Sequence, residues 1–125
     1  MKKIVTTLLI VFSFTLCNAQ WVTIPDVNFR NWLNANGYSS CMNGTMMDTT
    51  CSAVVNATSV YCNSSNIYDL NGIQYFNMLT ILGCQNNPIT SLPTLPNSLI
   101  QLYCQNCQLS GFPPPTAKFL IYPMV

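Results

Sequence analysis

Six cysteines between Cys41 and Cys107 hold most of the chemistry this chain could do: Cys41, Cys51, Cys62, Cys84, Cys104 and Cys107. Thiols can bridge, ligate a metal or attack an electrophile, and spacing separates these uses. Cys104-x-x-Cys107 has the spacing of a redox centre or of half a zinc site. The sequence contains no histidine, so nothing completes a mixed zinc site or polarises a thiol or a serine. The only carboxylates outside the chain terminus are Asp26, Asp48 and Asp69, in three separate segments, so no acid–base pair is expected from them. A glycine-rich phosphate loop is also missing. No catalytic residue, metal site or cofactor is therefore assigned, and the chain is read as a non-enzyme.

The compartment decides what the thiols become. Lys2 and Lys3 precede the apolar run Ile4 to Leu16, and Cys17-Asn18-Ala19 places small residues where a signal peptidase cuts. Residues 1–19 are read as an export signal, too short for a comfortable membrane span. Leu16 is bulky where a lipid-anchor signal on Cys17 would need a small residue. Past Ala19, Arg30 and Lys118 face Asp26, Asp48 and Asp69, a net charge of −1. So few cations argue against a nucleic-acid partner, and no membrane span is expected in the mature chain. A secreted or cell-surface location follows, where disulfides persist. Six thiols allow 15 pairings, so the surrounding elements must be found first.

Those elements repeat. Aligned on Cys62, Cys84 and Cys104, the chain shows spacings of 22 and then 20 residues, and the flanking apolar positions move in step. Val60, Leu82 and Leu102 stand two before the cysteine; Ile67, Ile89 and Leu109 stand five after; Leu70, Leu92 and Phe112 stand eight after. Ala57, Leu79 and Leu99 open the units. Alternation around each cysteine predicts a short strand with Leu82 and Cys84 inward and Ile81, Gly83 and Gln85 outward. Asn87 then sits in a turn, where a buried amide can satisfy backbone groups that the bend leaves unpaired. Pro93 and Pro96 predict an extended, polyproline-like return leg; in the first unit Ile73 and Phe76 take the inward places.

Written as L-x-x-L-x-C-x-x-N-x-L-x-x-L, residues 57–115 resemble the leucine-rich repeat family, in its short-repeat extracellular bacterial form. The resemblance implies an α/β solenoid: a stack of about three coils sharing one parallel β-sheet, with a helical cap on the amino-terminal side. It also implies protein or glycan recognition on the concave sheet face. By register that face carries Tyr61, Asn63, Ile81, Gly83, Gln85, Gln101, Tyr103 and Gln105, with a slot at Gly83 between two tyrosine rings. Cys62, Cys84 and Cys104 become an inward ladder of free thiols, since side chains in register on parallel strands project side by side rather than at a disulfide torsion. Cys107 falls at the Asn87 position, where the family admits cysteine as a weak turn donor.

Residues 20–56 precede the repeats. Pro25 suits a first helical turn, Asp26 a helix amino end and Gly37 a helix stop. Phe29, Trp32 and Leu33 share one face of that helix, which is expected to cap the first coil. Cys41 and Cys51 bracket the polar turn "MNGTMMDTT" outside the repeat register. A disulfide between them is expected, stabilising by about 2–3 kcal/mol; the alternative is two free thiols beneath the cap. After Phe112 the register fails, and residues 116–125 are read as an irregular tail. Phe119, Leu120, Ile121 and Tyr122 would form a lid, or the chain would be a truncated fragment of a longer leucine-rich repeat surface protein without independent activity.

Overall fold

The computed structural model describes residues 19–110 and the strand Leu120–Tyr122. The leader with its Cys17, and Phe119 of the tail, lie outside the described residues.

The amino-terminal part forms around a helix and a small sheet. Asp26 caps helix α1 (Val27–Ala35), its Oδ1 accepting the Phe29 N–H at 2.8 Å, and Gly37 at φ +96° follows the helix end. Phe29 and Leu33 are buried and Trp32 is half-buried, as their shared face predicts. Before the helix runs strand β1 (Trp21–Thr23); after it come β2 (Met42–Asn43) and β3 (Met46–Asp48). The three form an antiparallel sheet in the order β1-β3-β2. Gly44, at φ +60°, opens the two-residue loop between β2 and β3, the position where primed hairpin turns favour glycine. The expected disulfide is present: Cys41 and Cys51 are bonded with Cα atoms 5.5 Å apart, closing the hairpin at its base. A short helix α2 (Ser52–Val55) leads onward.

The second part is a parallel sheet of β4 (Ser59–Tyr61), β5 (Ile81–Gly83), β6 (Gln101–Tyr103) and β7 (Leu120–Tyr122), in that spatial order. Val60, Leu82, Leu102 and Ile121 stand in one row of the register. Backbone hydrogen bonds continue past the strands, from Cys62 N–H to Gly83 O at 2.8 Å and from Cys84 N–H to Tyr103 O at 2.8 Å.

The architecture differs from the solenoid that the repeat pattern predicts. The described residues form two small sheets, one antiparallel and one parallel, together with two α-helices, so the architecture is not a plain stack of parallel coils. The antiparallel sheet escapes a reading by periodicity because its strands are two or three residues long, too short to display alternation. The tail, expected to be irregular, supplies β7 in parallel register with β6.

One apolar core joins the two parts. Ile24, Phe29, Leu33, Met47 and Val54 from the first pack in the same cluster as Val60, Leu70, Ile73, Phe76 and Leu82 from the second. Rings carry the junction: Phe29 stacks on Trp32, Trp32 tilts against Tyr38, and Tyr38 meets Phe76 edge-on at 5.4 Å. Asp26 adds a polar tie, its Oδ2 accepting the N–H groups of Tyr68 at 2.8 Å and Asp69 at 3.1 Å. One carboxylate thus caps the helix and anchors it to the loop after β4.

Candidate functional site

Each outward position of the parallel sheet follows from the pleat. With Val60, Leu82 and Leu102 buried, their strand neighbours must face away from the core. The register sets Ser59, Ile81 and Gln101 in one row and Tyr61, Gly83 and Tyr103 in the next. The eight residues expected on this face are therefore brought together along the sheet. Tyr61 is 52% exposed and Asn63 is exposed, while Ile81, Gln85, Gln101, Tyr103 and Gln105 are half-buried.

Gly83 departs from expectation. It is buried, and a Cβ placed on it would lie 2.7 Å from Cδ1 of Tyr61 and 3.2 Å from Oδ1 of Asn63. The Tyr61 ring leans onto the space that glycine leaves, so the slot predicted between the two tyrosines is filled by one of them. Asn63 is also partly committed, its Oδ1 accepting the Gln85 N–H at 3.0 Å.

A ladder runs beside these residues. Ser64, Asn86 and Asn106 all take left-handed backbone angles, with φ of 52°, 56° and 55°, a region asparagine tolerates better than most residues. Asn106 Nδ2 donates to Asn86 Oδ1 at 2.8 Å. Further along, Gln105 Oε1 is buried without a donor among the described residues.

Beneath the face, Asn87 behaves as its place in the pattern predicts. Its Oδ1 accepts from Ser65 N–H at 3.0 Å and Ile67 N–H at 3.1 Å. Its Nδ2 donates to the carbonyls of Cys62 and Cys84 at 2.9 Å and of Gln85 at 3.2 Å. Cys107, one unit later, makes the corresponding reach, its Sγ donating to the Cys84 carbonyl at 3.1 Å.

Among the described residues four thiols are free: Cys62, Cys84 and Cys104, all buried, and Cys107, half-buried. Burial pushes Cys62 up to about 12 and also raises Cys104. Cys84 is raised by its hydrogen bond to the Cys107 side chain and then by burial. Cys107 moves the other way, down to about 7, because the Cys84 thiol and the Asn87 backbone N–H donate to its sulfur. The sequence places Cys107 in the turn column but does not reveal that its sulfur meets Cys84, because that contact depends on how far a turn residue reaches across to the neighbouring strand.

The three aspartates remain apart in function as well as in sequence. Asp26 holds three backbone N–H groups, Asp48 accepts the N–H and hydroxyl of Thr50, and Asp69 accepts from Asn71. Thr50 holds the Asp48 carboxyl below the usual carboxylate range. Among the described residues no group of three or more potential ligands is arranged to hold a metal ion, and no helix is long and apolar enough to cross a membrane. Neither a protein-family model, nor a curated protein, nor a solved structure matches this chain.

Proposed function

We propose that this chain is a secreted or cell-surface recognition module that binds a protein or glycan ligand through the outward face of its parallel sheet. The observation that carries this reading is the registered row of Tyr61 and Tyr103 beside a strip of amides: Asn63, Gln85, Gln101 and Gln105. Tyrosine offers a large, stiff contact surface with a polar tip, and amides supply donors and acceptors without charge. The repeat motif of residues 57–115, with its resemblance to leucine-rich repeat proteins, supports the same use of the sheet. Export is supported by the basic-apolar-small leader pattern and by the Cys41–Cys51 bridge, which is compatible with an oxidising compartment.

The test is a binding screen of the purified chain against immobilised oligosaccharides and peptides, repeated with Tyr61→Ala and Tyr103→Ala. Truncating an interface tyrosine that acts as a hot spot costs about 2 kcal/mol or more, about thirtyfold in affinity. At least one variant should show that loss while its unfolding midpoint stays close to wild type. Undiminished binding by both variants would refute the assignment.

A further inference from the structure

Cys104-x-x-Cys107 invites a bridge between its own two cysteines, but the fold brings Cys107 to a different partner. The Cys107 sulfur is held at the Cys84 carbonyl, 3.1 Å away. This contact belongs to the preceding turn of the chain. Asn87 explains why: at the equivalent position its amide reaches back to the Cys62 carbonyl at 2.9 Å, so backward reach is a property of this turn and Cys107 inherits it.

The two sulfurs also differ in access. Cys84 has no exposed surface, whereas Cys107 is half-buried between the exposed residues Asn106 and Gln108. A reagent from solvent therefore meets Cys107 first, while Cys84, whose carbonyl Cys107 touches, stays shielded. An accessible thiol backed by a second, shielded thiol is the arrangement in which a mixed disulfide is resolved internally.

We propose that Cys107 is a thiol-modification site for small-molecule disulfides, with Cys84 as its resolving cysteine. The Cys107 thiolate attacks one sulfur of an external disulfide R–S–S–R, forming a Cys107–S–S–R bond and releasing R–S⁻, which takes up the proton Cys107 gave up. The Cys84 thiol then loses its proton and attacks the Cys107 sulfur. A Cys84–Cys107 disulfide forms and the second R–S⁻ leaves, protonated by that proton. Two protein thiols are oxidised by two electrons, and one external disulfide is reduced to two R–SH. The product links two successive turns through the core side of the parallel sheet, while Cys62 and Cys104 remain thiols. It also removes the Cys107 donor from the Cys84 carbonyl, so the oxidised and reduced forms differ just beneath the row that contains Gly83 and Tyr103.

The experiment treats the full chain with oxidised glutathione and follows intact mass, free-thiol count and linked peptides. Apart from Cys17 of the leader, which is counted separately, the reduced protein keeps its Cys41–Cys51 bridge and four free thiols, Cys62, Cys84, Cys104 and Cys107. The expected course is a transient single glutathione adduct on Cys107, then loss of two thiols and a peptide linking Cys84 to Cys107. The first step should follow a group ionising near pH 7, as the lowered Cys107 value requires, rather than one at the usual thiol value of about 8.5. Cys104→Ala should leave this course intact, and Cys107→Ser should abolish both adduct and bridge. Cys84→Ala should stop at the adduct; if its core substitution prevents folding, the other two variants and the wild-type linkage map decide alone. A Cys104–Cys107 linked peptide, adducts spread evenly over the four thiols, or four thiols surviving unmodified would overturn the proposal.

Discussion

Replacing Asn87 with alanine removes five hydrogen bonds from one side chain, but the energetic cost depends on which partners are left stranded. The Cys84 carbonyl keeps the Cys107 thiol as a donor, and the Gln85 carbonyl keeps the Ser64 N–H at 2.9 Å. The Ser65 N–H is only part-buried. Two groups lose their side-chain partner in buried surroundings: the Ile67 N–H and the Cys62 carbonyl. At about 1–3 kcal/mol for each stranded buried group, the expected loss is about 4 kcal/mol. In a domain of this size that corresponds to a melting point lower by about 15–30 °C. Urea unfolding measures the free energy directly, and native-state hydrogen exchange should show the Ser65 and Ile67 amides losing protection before the rest of the sheet. Asn87→Cys, which installs the residue found at position 107, retains one weak donor and should recover less than half of the loss. A cost below about 1 kcal/mol for Asn87→Ala would refute the reasoning, because water would then be reaching the Ile67 N–H and the Cys62 carbonyl.

Further outcomes follow from other contacts. Asp26→Ala removes a helix cap and two backbone partners in the loop after β4; urea unfolding should show a loss of about 3 kcal/mol, against little effect for the exposed control Asn31→Ala. Gly72 sits at φ +119° with Ile24 and Phe29 packed where a Cβ would project, so Gly72→Ala should cost about 2–4 kcal/mol through backbone strain and overpacking combined. A cost within about 0.5 kcal/mol of zero, as at an ordinary surface position, would contradict that packing. Alkaline pH should weaken the fold. Cys62 is raised to about 12 when folded from the usual thiol value of about 8.5, so the unfolded state releases this proton first. The contribution is fully present below about pH 8.5 and is lost as pH rises toward 12. Cys62→Ala should flatten the pH dependence of the denaturation midpoint across that window; an unchanged slope would show that Cys62 is not responsible for it.

Local signals are legible in this sequence wherever one residue type answers one local need. Spacings of 22 and 20 residues place Val60, Leu82 and Leu102 in one row, and the sheet register has them there. Asp26 and Gly37 mark the ends of a helix because the first turn needs an acceptor and the chain beyond the last turn needs positive φ. Cys41 and Cys51, out of register around a glycine turn, are bonded. Asn87 stands where a bend leaves donors and acceptors to satisfy, and it satisfies them.

Tertiary structure decided what lies between units. Strand β1 pairs with β3 only because residues far apart in the chain meet, Trp21 opposite Asp48; the β2–β3 hairpin is local, but pieces of two or three residues carry no period of their own. The same holds for β7, whose "LIY" matches no repeat position yet pairs with β6. Tyr61 closes the space at Gly83 because a ring on one strand can cover a missing side chain on the next. Asp26 reads as a cap in sequence, but its second oxygen finds Tyr68 and Asp69, 42 and 43 residues away, only once the helix has docked. Cys107 reads as half of a CxxC, yet its sulfur turns toward Cys84. Periodicity reports which way a side chain points; the distance it spans to a neighbouring turn is set by the packing of the whole chain.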